Sequence, residues 1–163
     1  GLPPVDIIVP VGGASVGDYD YARDVFFALG YAPQFEKIAV KPGKPCWFAK
    51  GDALVLGLPG NPTSAMVTAI LFLQPLINRL LGLDATHGWI SGRMAHDLAA
   101  NGNRETYLRG TFHIDDDGIG QVSTMAQQDS GMTSTFAAAS CLVRRVPNAP
   151  SLAQGETVQV LRI

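Results

Sequence analysis

The chain has 163 residues, of which 47% are hydrophobic and 16% are charged, and its formal net charge is −2. This composition supports the packed core of one ordinary domain or two small ones, and it excludes the basic surface of a nucleic-acid-binding protein. The longest apolar run, residues 65–73, is too short to span a bilayer. Cys46 and Cys141 lie far apart in the sequence, which predicts reduced thiols in a cytoplasmic protein.

The first fifty-odd residues predict strands around one helix. Residues 5–10 form a short apolar run of the kind found in strands buried on both faces, and residues 20–29 predict a helix that stops at Gly30. Residues 35–40 predict the next strand, and a hairpin follows around Lys50-Gly51-Asp52. The chain opens almost directly on a buried strand without an initiator Met, so we expect that the amino-terminal part of a longer protein has been removed.

A long helix is predicted over residues 61–81. Asn61 is a good helix cap, Pro62 suits the first helical position, and Gly82 suits the end. Apolar residues lie on nearly all sides of this helix, which predicts deep burial. Pro75 has no N–H to donate to the carbonyl of Leu71, so we expect a kink there.

The second half of the chain contains no lysine and has a different pattern. It predicts short strands separated by turns, a hairpin tip at residues 115–118 and one short helix near residues 133–139. The strands are expected at residues 92–98, 106–114, 121–125, 142–146 and 157–161. The predicted class is therefore α/β: residues 1–84 form part of a three-layer domain with a parallel sheet, and residues 88–163 form a small all-β, barrel-like domain.

Three rigid polar turns follow predicted strands of the first half. We name them the glycine turn (residues 12–17), the lysine turn (residues 41–45) and the proline turn (residues 58–64). Strands of a parallel sheet send the loops at their carboxyl ends to one edge, where ligands bind. The sequence therefore predicts an anion-binding site at that edge.

The glycine turn has three interpretations. Its glycines allow the backbone to approach a phosphate closely, Ser15 adds a hydroxyl donor, and Asp18 or Asp20 could hold Mg²⁺. The alternative is a tight strand-to-helix turn with an aspartate cap. Residues 13–17 also match G-x-S-x-G, the nucleophile elbow of α/β-hydrolases, but the helix begins too late for a sharp elbow and every histidine lies in the second half.

The other two turns and one strand carry the remaining candidates. Lys41 and Lys44 suit an oxyanion as mobile point charges, although a solvated basic turn is equally typical of this pattern. The proline turn exposes backbone N–H groups at a helix start, and a well-capped helix explains most of it. Arg109 lies in the middle of a predicted strand, where a surface position is the commoner case. Arg144 and Arg145 indicate a solvated strand end.

Together these residues closely resemble one family, the molybdopterin molybdenumtransferases, which include the bacterial MoeA enzymes and the catalytic domain of the eukaryotic scaffold gephyrin. The matching segments are residues 12–20 (GGASVGDYD), 41–45 (KPGKP) and 58–65 (LPGNPTSA). Weaker similarity continues at residues 107–110 (YLRG) and 130–132 (SGM). The lysine and proline turns in combination are highly specific to this family.

The resemblance implies an activity and its residues. The implied activity is insertion of molybdate into adenylylated molybdopterin, with Mg²⁺ assistance and release of AMP. Asp20, Lys41 and Lys44 would be the catalytic residues, and Asp20 a possible Mg²⁺ ligand. Arg109 would help to hold molybdate, with Ser130 as its companion. The pterin-phosphate site would be lined by Gly12, Gly13, Ser15 and Gly17, and the pocket would be shaped by Pro59, Asn61, Pro62 and Ser64.

The resemblance also implies partners. The family acts on small-molecule substrates, its full-length members are homodimers, and a molybdopterin adenylyltransferase is a possible partner; no nucleic acid or membrane is involved. Because part of the α/β domain is missing relative to the family, we expect residues 1–163 alone to be inactive. The alternative function is a non-catalytic molybdopterin-binding or scaffold module, against which the intact Asp20, Lys41 and Lys44 argue.

Overall fold

The computed structural model describes residues 4–13, 21–129, 131 and 133–163. The elements of the first half are β1 (Ile7–Ile8), α1 (Ala22–Ala28), β2 (Ala32–Phe35), β3 (Val40–Lys41), β4 (Trp47–Lys50), β5 (Leu54–Gly57), α2 (Pro62–Thr68), a π-helical segment (Ala69–Leu73) and α3 (Gln74–Leu80). Those of the second half are β6 (Ile90–Met94), β7 (Glu105–Ile114), β8 (Gly120–Thr124), α4 (Thr133–Ala137), β9 (Cys141–Arg145) and β10 (Thr157–Arg162).

The first sheet is mixed, so the predicted parallel three-layer arrangement is not confirmed. Its order is β1-β5-β4-β2, and only β1 and β5 run parallel. The reason lies in the turn at Gly51, whose N–H donates to the carbonyl of Ala53 at 3.0 Å. A turn this short joins antiparallel strands, whereas a parallel pair needs a long crossover.

The strand predicted at residues 35–40 is wrong in position. The chain instead forms β2 at the edge of the first sheet, where Pro33 is tolerated because one side of an edge strand needs no donors. It then leaves that sheet and forms β3, which pairs in parallel with β7 of the second sheet through Val40–Glu105 and Lys41–Thr106. The lysine turn therefore begins on one sheet and leads into the other.

The second sheet closes into a small barrel, as the sequence predicts. Its order is β3-β7-β8-β6-β10-β9, and β9 also pairs with β7, which closes the five strands from β7 to β9 into a ring with β3 attached to β7. The five predicted strands of this half lie within a few residues of the observed ones, and so does the short helix α4. A core of buried residues from β6, β8, β9 and β10 fills one side of this sheet.

The long helix lies between the two sheets. One face packs through Val67 and Leu71 on residues of the barrel, and another contacts the first sheet around Leu56. The predicted deep burial is found on two faces only, because a third face stays open and leaves Met66 44% and Leu81 67% exposed. Within the described ranges, no helix combines the length and the apolar character needed to cross a membrane.

The helix starts and ends where its sequence signals predict. The side chain of Asn61 accepts a hydrogen bond from the N–H of Ser64 at 3.4 Å, and Gly82 has a left-handed φ of 71°. The predicted irregularity near Pro75 takes the form of the π-helical segment just before it. His87 lies 3.0 Å from the carbonyl of Leu71, so an imidazole N–H supplies the donor that Pro75 lacks.

Candidate functional site

The described parts of the three turns meet at one edge of the first sheet. Val11 bridges Leu58 in parallel, and the N–H of Gly12 donates to the carbonyl of Leu58 at 3.0 Å. The lysine turn reaches the same edge for another reason: it precedes β4, and the antiparallel pairing of Trp47 with Gly57 places the start of β4 beside the end of β5.

Close backbone packing fixes the turns against one another. Gly12 has a φ of 84°, and a Cβ on Gly60 would lie only 3.2 Å from the Cα of Gly12. In the lysine turn, Gly43 has a φ of 121°, and a Cβ there would overlap the methyl group of Thr68. Thr68 in turn donates to the carbonyl of Ser64 at 2.8 Å. The lysine turn therefore packs directly on the helix that follows the proline turn.

A cavity of about 290 Å³ opens beside the lysine turn, and we call it the lysine-turn cavity. Its walls are Lys41, Pro42, Gly43, Lys44, Pro45, Ser64, Arg104, Thr106, Tyr107, Leu108, Arg109 and Gln128. Four of these residues carry a positive charge, and none of the described residues in its walls is acidic. This local excess of positive charge in a chain of net charge −2 favours an anion.

Arg109 is the buried cation of this cavity. It is only 2% exposed and lies two residues from Tyr107 on β7, so the two side chains share one face of the strand. Desolvation lowers the pKa of its guanidinium, and the nearby Asp129 carboxylate partly opposes this effect. One terminal N–H donates to the carbonyl of Asp129 at 3.3 Å, whereas Nε has no hydrogen-bond partner among the residues described.

Gln128 and Arg104 also belong to the cavity, and the sequence gives no signal for either. The carboxamide of Gln128 accepts from the backbone N–H of Arg109 at 3.0 Å and donates to its carbonyl at 2.8 Å. These contacts join residues 19 positions apart, on a strand and on the loop after the next strand. No local pattern predicts such a pair.

A second cavity of about 710 Å³ adjoins the first. Both have Lys41, Arg104, Thr106, Leu108 and Gln128 in their walls. Arg145 also lines the larger cavity and is 3% exposed, so the prediction of a solvated strand end is wrong for this residue. Its guanidinium donates to the backbone carbonyls of Ala99 and Pro150, which are brought to it by loops that the sequence pattern does not place.

The predicted site residues fall into three groups. Lys41, Lys44, Ser64 and Arg109 line the lysine-turn cavity. Gly12, Gly13, Pro59, Asn61 and Pro62 lie at the same edge of the sheet but are not part of its walls. Ser15, Gly17, Asp20 and Ser130 lie outside the described residues.

One N–H group of the proline turn differs from the prediction. The N–H of Ser64 donates to the side chain of Asn61, so it is not free to meet an anion.

No group of three or more His, Cys, Asp or Glu that could hold a metal occurs in the part of the chain that the structure describes. A magnesium site at Asp20 stays a prediction, as does the hydrolase alternative at Ser15, because both residues lie outside that part.

Two family models match the chain. A model described as a probable molybdopterin binding domain matches residues 3–79, and one described as the MoeA C-terminal region (domain IV) matches residues 91–163. The first contains the three turns and the second contains Arg109.

Named relatives agree with these models. A molybdopterin molybdenumtransferase from Haemophilus influenzae is 34% identical over 161 residues, covering 95% of this chain and 39% of the relative. One from Nostoc sp. is 39% identical over 119 residues, covering 68% of this chain and 27% of the relative. The crystal structure of a molybdopterin biosynthesis MoeA protein from Pyrococcus horikoshii superposes with a TM-score of 0.76 at 28% identity, covering 96% of this chain and 37% of that one. The chain therefore spans well under half the length of these relatives.

Proposed function

Because this chain belongs to the MoeA family of molybdopterin molybdenumtransferases, which serve molybdenum cofactor biosynthesis, we propose that its lysine-turn cavity binds molybdate. In the proposed reaction, molybdate is inserted into adenylylated molybdopterin and AMP is released. The observation that carries the proposal is the set of cations around the cavity that form no salt bridge in the described ranges.

The charge balance of the cavity suits a dianion. Lys41, Lys44 and Arg109 form no salt bridge with a carboxylate in the described ranges, where the ion pairs are those of Arg23 and Arg144. Cations outside a salt bridge leave charge available to a ligand, although the nearby Asp129 carboxylate offsets part of the charge of Arg109. A dianion seated here would gain attraction from several cations and meet no acidic side chain of the described walls.

Lysine and arginine contribute in different ways. The exposed Lys41 and Lys44 extend from a turn held by Pro42 and Pro45, which lowers the entropy lost when the lysines close on a ligand. Arg109 is already buried, so part of its desolvation cost is met by the fold before the anion arrives. An anion that reaches its guanidinium would supply the charge-assisted hydrogen bonds that burial has removed.

The remaining turns would hold the organic substrate. Gly12 and Gly60 lie close together with no side chain between them, where the described part of the glycine turn meets the proline turn at one edge of the first sheet. Glycine backbone without side chains allows close approach of a phosphate or a pterin ring. We assign this edge to adenylylated molybdopterin, which places its dithiolene beside the lysine-turn cavity.

Other family properties form part of the same proposal. Mg²⁺ held through Asp20 would neutralise phosphate charge during release of AMP. We also propose a cytoplasmic location, a homodimeric whole protein and an adenylyltransferase partner, on the basis of the resemblance alone.

Direct binding of molybdate tests the proposal. We expect the chain to bind molybdate in equilibrium dialysis, and we expect Lys41→Ala/Lys44→Ala to weaken binding at least about tenfold, since each lost charge-assisted contact is worth ~1.5–3 kcal/mol. Lys37→Ala/Lys50→Ala is the matched control, because both lysines are exposed, belong to the same segment and lie outside the walls of the cavity.

Two outcomes would reject the assignment. The first is no saturable binding of molybdate by the folded wild-type chain. The second is an equal loss of affinity in the two lysine pairs, which would mean that net charge rather than the cavity attracts the anion.

A further inference from the structure

The hydrogen bonding of β7 changes at Arg109. The register of β7 with β8 runs from Ile114 to Gly110, where Gly110 lies opposite Thr124. After Thr124 the chain leaves the strand, although the N–H of Met125 still donates to the carbonyl of Arg109 at 2.8 Å. The backbone N–H of Arg109 would then have no strand partner on this side of β7.

The side chain of Gln128 takes the place of the missing strand residue. Its Oε1 accepts from the N–H of Arg109, and its Nε2 donates to the carbonyl of the same residue. This is the pair of bonds that an opposite residue exchanges in an antiparallel ladder. Nε2 also donates to the carbonyl of Met125 at 2.8 Å, so both N–H groups and the oxygen of the carboxamide are used.

The same loop also contacts the end of the Arg109 side chain. The carbonyl of Asp129, the residue after Gln128, accepts from the guanidinium at 3.3 Å. One short segment therefore holds both the backbone and the guanidinium of the buried cation. Gln128 also lies in the walls of both cavities.

We propose that Gln128 is a positioning residue of the oxyanion site, whose carboxamide completes the strand at Arg109 and fixes the direction of its guanidinium. This inference rests on the proposed function, because it assumes that Arg109 binds the anion. Gln128 acts through Arg109 and needs no contact with the anion itself. We call these contacts of the Gln128 side chain the clamp. Loss of the clamp would leave Arg109 charged and buried but free to move away from the anion.

The test is a double-mutant cycle on molybdate affinity in the 163-residue chain. Gln128→Met keeps the length of the side chain and removes its three hydrogen bonds, and we expect it to weaken molybdate binding about tenfold. We expect Arg109→Met to weaken binding at least as much. Since Gln128 acts through Arg109, adding Gln128→Met to Arg109→Met should weaken binding no further.

Gln121→Met is the matched control. Gln121 lies half-buried on the same sheet, donates to Asp115 at 2.7 Å and lies outside the walls of both cavities. Gln121→Met should lower the free energy of unfolding, as Gln128→Met should, but it should leave the affinity for molybdate unchanged. Should Gln128→Met fail to fold, Gln128→Asn serves instead, because it keeps a carboxamide on a side chain shorter by one methylene group and should give a loss of affinity in the same direction.

The outcomes separate the two proposals. Unchanged affinity in the folded Gln128 variant overturns the positioning role, and so does a loss that adds in full to that of Arg109→Met. If the wild-type chain does not bind molybdate, or if Arg109→Met binds as well as wild type, the proposed function fails first. An Nε–H resonance of Arg109 that shifts in Gln128→Met but not in Gln121→Met would support the clamp without any ligand.

Discussion

Replacing Gly43 by alanine tests the contact that places the lysine turn beside the proline turn. Two costs follow from the structure. A φ of 121° is unfavourable for any residue with a Cβ, which costs ~1–2 kcal/mol. The new Cβ would overlap the methyl group of Thr68 and lie 3.3 Å from a methyl group of Val40, and overpacking of this kind costs ~1–3 kcal/mol. We expect Gly43→Ala to lower the free energy of unfolding by about 3 kcal/mol.

Urea unfolding measures this loss, and a second substitution identifies its cause. Thr68→Ser removes the methyl group but keeps the hydroxyl that donates to Ser64, so it should recover part of the loss in the Gly43→Ala chain. The coupling between the two substitutions should be about 1–3 kcal/mol. Gly155→Ala is the control for backbone strain, since Gly155 has a φ of 83° and no atom within 4 Å of a new Cβ. Equal losses at both glycines with no coupling would refute the packing of the lysine turn on the helix.

Three further predictions concern the helix, the thiols and the anion. His87→Ala should lower the free energy of unfolding by about 1–2 kcal/mol, because the carbonyl of Leu71 loses a donor. Pro75→Ala should recover part of that loss by restoring a backbone N–H. Urea unfolding in which the effects of the two substitutions simply add would contradict this prediction. Burial raises the pKa of Cys46 from 9.0 to about 12 and that of Cys141 to about 11. Both thiols should therefore resist a thiol reagent until the chain unfolds. The free energy of unfolding should fall as pH rises from 9, towards 11 for Cys141 and towards 12 for Cys46, because only the unfolded chain releases each proton in that range. The fall should be up to ~1.4 kcal/mol per pH unit for each thiol, and stability that rises over this range would contradict the burial of the thiols. The affinity for molybdate should fall as ionic strength increases from about 0.05 to about 0.5 M, and dialysis that shows no salt dependence would contradict an electrostatic site.

Elements set by local chemistry are predictable from the sequence. Asn61 and Pro62 define the start of the long helix, and Lys50-Gly51-Asp52 defines the hairpin, because caps and short turns depend on a few neighbouring residues. The barrel strands follow from alternation between turns, and the structure has them within a few residues of the prediction.

Elements set by distant contacts are not predictable in this way. Strand β3 is only two residues long and exists because Val40 meets Glu105 across the chain. The guanidinium of the buried Arg145 donates to carbonyls from two loops, and the carboxamide of Gln128 bonds to a strand residue 19 positions away. A single sequence carries no periodicity that reports such pairings.

The candidate site likewise contains some residues that the sequence predicts and others that it does not. The sequence gives four separate candidates for the cavity, and the structure brings all of them into its walls: Lys41, Lys44, Ser64 and Arg109. The antiparallel hairpin explains why the lysine turn lies at the predicted edge although the sheet is not parallel. Arg104 and Gln128 complete the walls of the cavity and become visible only once the barrel has closed.

The most direct test of the account is the position of molybdenum in a crystal of the chain soaked with molybdate. Anomalous scattering at the molybdenum absorption edge locates the metal without prior assumptions about the ligand. We predict a peak in the lysine-turn cavity, between Lys41, Lys44 and Arg109. A peak at another site, or none in that cavity at a molybdate concentration that saturates the chain in dialysis, would contradict the central claim.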